Sequence, residues 1–277
     1  MSTPKSILIT GCSSGIGYAA AHGMRARGWR VFAACRKIED CERLKTEGFD
    51  SPLIDYEDGT TLHSGLAEVL AATGGTLDAL FNNGAYAVPG AVEDLPTDAL
   101  RTIFEANFFG WHDLTRAVLP VMRKQGHGRI VQCSSVLGLV TLPWRGAYNS
   151  TKFALEGLSD TMRIELRGTG IHVALIEPGP VTSLIRQNSI PHFEKWIDWE
   201  NAPRADEYRH KLRKRLYESS GPDTFELPPE AVVKKLIHAV EAAKPRPRYY
   251  VTTATYIMGT LRRILPTRAL DWVASRA

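Results

Sequence analysis

The chain has 277 residues, 44% hydrophobic and 23% charged, with a formal net charge of +4. That length suits one large α/β domain spanning 1–277, and the composition can bury a core, which argues against disordered and fibrous classes. The positive charge is a property of the tail: seven basic residues from Lys244 to Arg276 face Asp271 alone, a local +6 that leaves the rest near −2, so no nucleic-acid partner is implied.

No run approaches the ~18 apolar residues of a membrane span. The start of the chain, Met1 to Lys5, runs straight into Ile7-Leu8-Ile9 without the pattern of a secretory signal. Cys12, Cys35, Cys41 and Cys133 are scattered and lack zinc spacing. A cytoplasmic setting is expected, with no disulfide framework and no metal.

Taken in chain order, short β-rich runs alternate with helical patterns. Strands are predicted at 6–9, 30–34, 51–54, 79–82, 129–133, 172–176 and 249–251, and helices at 16–27, 39–46, 60–73, 97–124 and 148–167. This alternation implies βαβ units and a doubly wound, Rossmann-like parallel sheet of about seven strands, with helices on both faces. Ligands of such sheets sit at the carboxyl ends of the strands. The segment 185–221 breaks the pattern, with Phe193, Trp196, Trp199 and Tyr208 set among charges. Two readings stand: a helical excursion that packs its own aromatics, or a helical lid over a substrate cleft. The basic helix predicted at 252–277 would dock on the domain, on a partner subunit, or peripherally on a membrane.

Ile7-Leu-Ile-Thr-Gly11-Cys-Ser-Ser-Gly15-Ile-Gly17 reads as a strand, a glycine-rich turn and a helix start. Glycines let the backbone turn sharply and approach a phosphate, and the helix N-terminus stabilises its charge. Ser13 and Ser14 add hydroxyl donors. The second strand ends in Cys35-Arg36-Lys37, with no carboxylate before Glu39. An acid there would bind a ribose 2′-hydroxyl, whereas Arg36 and Lys37 suit the 2′-phosphate of NADP(H). Asp55, after the third predicted strand, is a candidate acceptor for the adenine amino group or a loop cap.

Tyr148 and Lys152 lie four apart on one predicted helix, hence on one face. A phenol titrates near pH ~10, and a nearby ammonium brings it toward the working range of a general acid. Ser135, thirteen residues earlier and just beyond a strand, can hold a carbonyl oxygen beside that phenol.

Together these motifs resemble the short-chain dehydrogenase/reductase family over nearly the whole chain. Thr10-Gly11-Cys12-Ser13-Ser14-Gly15-Ile16-Gly17 is similar to its T-G-x-x-x-G-x-G. Asn82-Asn83-Gly84-Ala85 stands where the family has N-N-A-G, with the last two residues exchanged. Asn107, Ser135, Tyr148 and Lys152 fall at its four catalytic positions, and Pro178-Gly179-Pro180-Val181 continues the set. The resemblance implies that Tyr148 is the general acid or base and that Lys152 lowers its pKa and holds the nicotinamide ribose. It further implies that Ser135 binds the reacting oxygen and that Asn107 holds a relay water. Asn83 and Gly84 would lie by the cofactor ribose and Val181 by the carboxamide, with either Thr182 or Ser183 making the hydroxyl contact there. The family's usual assembly implies a homo-oligomer.

Arg36 and the run Ile176-Glu-Pro-Gly-Pro are also similar to NADP-dependent aldehyde reductases and to 17β-hydroxysteroid and retinol dehydrogenases of this family. Tyr86, Val88, Leu137, Pro143, Trp144, Leu184, Phe193, Trp196 and Trp199 suggest an apolar substrate, with no clear cationic clamp. Three functions follow. The first is NADP-dependent reduction of an apolar aldehyde or ketone. The second is a hydroxysteroid- or retinol-type dehydrogenase working in oxidation. The third is a silent cofactor-binding protein, whose mark would be a broken Ser/Tyr/Lys set; here the set is intact.

Overall fold

A computed structural model of the chain describes residues 4–218 and 221–276. Six strands, β1 (Ser6–Ile9), β2 (Arg30–Ala33), β3 (Ala79–Asn82), β4 (Gly128–Cys133), β5 (Ile171–Glu177) and β6 (Arg248–Tyr250), form one parallel sheet in the order β2-β1-β3-β4-β5-β6. Successive strand side chains point to opposite faces. Ile7, Ile9 and Phe81 therefore pack on α1 (Gly15–Ala26), α2 (Ile38–Thr46) and the later α9 (Glu230–Glu241). Leu8, Leu80 and Ile130 pack on α3 (Gly59–Thr73) and α5 (Gly110–Gln125). Covering both faces explains why these strands read as unbroken apolar runs. The chain reverses its winding between β1 and β3, which opens a crevice at their carboxyl ends.

The predicted strand at 51–54 is absent from the sheet, which has six strands rather than about seven. The segment runs beside β2 and forms isolated bridges from Phe32 to Asp50 and from Cys35 to Leu53. Pro52 lies between them and has no N–H to give, so the ladder cannot continue.

The helix predicted at 97–124 is also interrupted. α4 (Thr97–Phe104) passes through a π-turn, Glu105–Phe109, before α5 begins. There the Gly110 N–H bonds to the Glu105 carbonyl five residues back. Such a turn inserts an extra residue and re-aims its side chains, and the residue at its centre is Asn107.

α6 (Gly146–Glu165) carries Tyr148 and Lys152. Arg248 on β6 pins it to the sheet, reaching Glu156 and Asp160 of α6 and Glu177 of β5.

The aromatic segment contains α7 (Ile185–Trp196) and the short α8 (Ala205–Glu207), which runs into π-turns at Tyr208–Leu212 and Lys214–Glu218; positions 219 and 220 lie outside the described residues. It packs its own cluster of Phe193, Ile197, Tyr208, Leu212 and Leu216. The Tyr208 hydroxyl latches it down, accepting from the Ala91 N–H at 2.8 Å and donating to Asp94 at 2.7 Å.

The expected tail helix is two helices, α10 (Thr253–Ile264) and α11 (Thr267–Ala274), and Ala277 lies outside the described residues. Pro266 forces Leu265 into extended backbone, and α10 ends there. α10 docks on this domain through Gly259, which lies against the Tyr250 ring. No helix among the described residues is long and apolar enough to cross a membrane.

Candidate active site

The glycine turn sits at the end of β1. Gly11 and Gly15 have φ of +67° and +55°, which residues with a side chain rarely adopt. A Cβ on Gly11 would stand 2.5 Å from the Gly84 Cα, and one on Gly17 would stand 2.2 Å from the Gly11 carbonyl oxygen. The two chain segments thus touch through bare backbone, with Gly84 facing Gly11. The contact is stitched by Thr10. Its hydroxyl accepts from the Asn83 N–H at 2.9 Å and lies 2.7 Å from the Tyr56 hydroxyl. Tyr56 donates to Asn82, whose amide donates to Thr115 and Gln132, so the ends of β1, β3 and β4 are joined by one polar network.

The hydroxyls of Ser13 and Ser14 have no partner among the described residues. The Ser13 carbonyl is braced by Arg43 at 2.7 Å. Free hydroxyls, a glycine turn at positive φ and the start of α1, with Ile16 packed beneath, fit a dinucleotide pyrophosphate.

At the end of β2, Arg36 and Lys37 are exposed and make no hydrogen bond or ion pair with described residues. Arg36 lies within electrostatic reach of Glu57, Tyr86 and His192. Asp55 caps its own loop, one carboxylate oxygen accepting from the Glu57 N–H at 3.0 Å. After β5, the Thr182 hydroxyl is taken by Glu226 at 2.6 Å. Val181 bridges to Leu227, while Ser183 lies against Gly15. Ser183 therefore stands beside the glycine turn, and its hydroxyl bonds to no described residue.

Ser135, Tyr148 and Lys152 converge beyond the end of β4. The Ser135 hydroxyl accepts from the Leu137 N–H at 3.1 Å and donates to the Pro178 carbonyl at 3.5 Å. Burial pushes the Tyr148 phenol above its ordinary value and the Cys133 thiol adds to this; the Ser135 hydroxyl and the Arg145 guanidinium draw it back. Burial pushes Lys152 down to about 8, against the opposing pull of Cys133 and Glu156. Its ammonium donates to the Cys133 carbonyl at 2.8 Å and stands 4.3 Å from the Trp111 ring centre and 5.4 Å from that of Tyr148. The ring face favours the charged form. The Asn107 amide is engaged within the protein: its oxygen accepts from the Tyr86 N–H at 3.1 Å, and its nitrogen donates to the Tyr86 carbonyl at 2.8 Å and to the Thr151 hydroxyl at 3.5 Å.

Trp111 and Arg145 are site residues that sequence reading passed over. Trp111 donates to the Gly84 carbonyl at 2.9 Å and covers Lys152. Its signal was its place one turn beyond Asn107. Of the substrate-side candidates, Val88 and Phe193 are core residues. Tyr86 is buried with its ring stacked on His192 of α7 at 3.9 Å, one contact between the aromatic segment and the loop after β3. Leu184 is exposed, and Leu137 and Trp196 are partly buried. No cluster of three or more metal-ligating side chains occurs among the described residues.

A parallel sheet with a glycine cradle at its switch point and a Ser/Tyr/Lys group beyond β4 describes a nicotinamide-dependent oxidoreductase. The profile of the family described as short chain dehydrogenase matches residues 5–192, and the chain belongs to that family. It is similar to the oxidoreductase YbbO of Escherichia coli, with 41% identity covering 96% of this chain and 93% of that one. It is 31% identical to the NADPH-dependent 3-dehydrocapnine reductase of Ornithobacterium rhinotracheale, covering 95% and 94%. A short-chain dehydrogenase structure from Streptomyces avermitilis superposes with a TM-score of 0.78 at 28% identity, covering 99% and 94%.

Proposed function

We propose that this enzyme is an NADP-dependent carbonyl reductase that converts an apolar aldehyde or ketone to its alcohol. The observation that carries the reading is the convergence of the Ser135 hydroxyl, the partly buried Tyr148 phenol and the buried Lys152 ammonium beside the glycine cradle. Gly11, Ser13, Ser14, Gly15, Ile16 and Gly17 would hold the pyrophosphate. Arg36 and Lys37 would hold the 2′-phosphate, and Asp55 the adenine through its second oxygen. Asn83, Gly84, Tyr148 and Lys152 would line the nicotinamide ribose, with Val181 and Ser183 at the carboxamide. When bound, the nicotinamide supplies the hydride.

The protein governs the proton. Ser135 orients the carbonyl oxygen, and Tyr148 donates its phenolic proton to that oxygen as charge develops. Lys152 stabilises the resulting phenolate and passes a proton toward it. Asn107 acts as a positioning residue: with its amide committed to Tyr86, it holds the π-turn in place, and a relay water would meet its main chain. The unpaired Arg36 supports the choice of NADP, as does the NADPH dependence of the 3-dehydrocapnine reductase.

Initial rates with NADPH and NADH, across aldehydes, ketones and steroids and in both directions, test the reading. NADPH-driven reduction of apolar carbonyls is expected. A preference for NADH, or turnover confined to alcohol oxidation, would overturn it.

A further inference from the structure

Arg145 stands three residues before Tyr148, at the N-cap of α6. Its guanidinium makes no hydrogen bond or ion pair with any described residue. The groups that act on it are Arg215, Arg186, Asp223 and the Tyr148 phenol. Asp223 is already shared, bonding Arg186 at 2.9 Å and Arg215 at 3.2 Å. Glu226, the other carboxylate near Arg186, is held by Thr182 and by the Asp223 N–H at 2.7 Å. Among the described residues, Asp223 is thus committed to Arg186 and Arg215 and Glu226 to Thr182 and the Asp223 N–H, so neither pairs with Arg145, the cation beside the catalytic phenol.

The backbone that presents it is unusual. Trp144 adopts φ of +64°, a conformation costly for a bulky residue. It is held there by the Tyr208 ring at 4.8 Å and by a backbone bond from the Gly90 N–H to the Trp144 carbonyl at 3.1 Å. The latch of the aromatic segment thus also fixes the residue before Arg145. An unpaired, partly desolvated cation is destabilising in the free protein, and burial with the neighbouring arginines pushes this guanidinium down to about 10. Such a cost at the mouth of a site persists where a ligand supplies the missing charge.

We propose that Arg145 is the head-group clamp of the substrate pocket: the carbonyl substrate carries a carboxylate, sulfonate or phosphate close to the reacting carbon, and an apolar remainder. The planar guanidinium matches such an oxyanion with two parallel hydrogen bonds. Placing the anion beside Tyr148 fixes the carbonyl against the phenol and Ser135. This assignment rests on the carbonyl-reductase reading and narrows its substrate class.

The test uses 3-, 4- and 5-oxodecanoate with their methyl esters, assayed with NADPH on wild type, Arg145→Gln and Arg145→Lys. The wild type should favour the acid over its ester by about ten- to a hundredfold in kcat/KM for at least one chain position, the range of one charged hydrogen-bonded pair. Arg145→Gln should erase that ratio, and Arg145→Lys should keep part of it. A binding arm needs no turnover: quenching of tryptophan fluorescence by decanesulfonate against decanol in the NADP-loaded enzyme should show the same preference and the same loss. Esters reduced as well as acids at every position, or a preference that survives Arg145→Gln, would overturn the clamp while leaving the reductase standing. If no carbonyl is reduced with NADPH, the reductase reading fails. The binding arm then decides the clamp alone, equal binding of sulfonate and alcohol overturning it.

Discussion

Replacing Arg36 by alanine should weaken NADPH far more than NADH. The side chain is exposed at the end of β2 and pairs with no described residue, so its removal breaks no internal contact. Folding stability should stay within about 0.5 kcal/mol of wild type, as for other isolated surface changes. The cofactor is different. A doubly charged 2′-phosphate accepts two bonds from one guanidinium, and a charge-assisted bond of this kind contributes roughly 1.5–3 kcal/mol. Solvent around Arg36 screens the pair, so the lower part of that range applies, about 1.5–2 kcal/mol or ten- to thirtyfold in Kd. Lys37→Ala should do less, since its ammonium is more strongly hydrated and flexible. Arg36→Asp should go further, repelling the phosphate and offering the ribose hydroxyls of NADH an acceptor. A carboxylate at the preceding position is a poorer choice, because Cys35 is buried and its thiol is already pushed up to about 12. The assay is the ratio of kcat/KM for NADPH and NADH, with Kd from fluorescence titration. An unchanged ratio in Arg36→Ala would show that the guanidinium does not hold the 2′-phosphate, and the cofactor assignment would fall.

Tyr148→Phe keeps the ring and removes the proton; turnover should drop by roughly 10²-fold or more with cofactor Kd near wild type, and near-normal turnover would end the general-acid assignment. Lys152→Met should abolish efficient turnover yet stabilise the fold at pH 7. The reason lies in the sign: the Lys152 pKa falls from 10.5 to about 8 on folding, so between those values the unfolded chain binds more protons and wild-type stability rises with pH. After loss of the bond to the Cys133 carbonyl is set against this, the variant should gain about 1–3 kcal/mol in urea unfolding at pH 7. The gap should narrow as pH rises past 8; a constant gap would refute the buried charge as its source. Gly11→Ala forces a side chain at φ +67° and into the Gly84 backbone, so Tm and NADPH titration should both suffer, and a variant binding normally would show that the two segments can part.

The nucleotide end of the site was legible in the sequence because it is local. A strand, a glycine turn and a helix start occupy residues 6–17, and positive φ at Gly11 and Gly15 follows from steric rules that need no distant partner. The Tyr148 and Lys152 spacing is likewise a property of one helix. Alternating apolar runs were enough for a parallel sheet, while Pro52 removed one expected strand by a single missing N–H. What tertiary structure alone decided are the groups whose roles depend on residues far along the chain. Trp111 covers Lys152 only because α5 and α6 flank β4. The Asn107 amide meets the Tyr86 peptide only because a π-turn re-aims it. Thr182 and Ser183 are equivalent in sequence, and Glu226 separates them by taking the first. Arg145 read as one arginine among many; it became the unpaired cation beside Tyr148 once folding had given Asp223 to Arg186 and Arg215. Periodicity and turn chemistry act over a few residues and can be read along the chain, whereas the pairing of charges and the burial of a lysine depend on which distant segments meet.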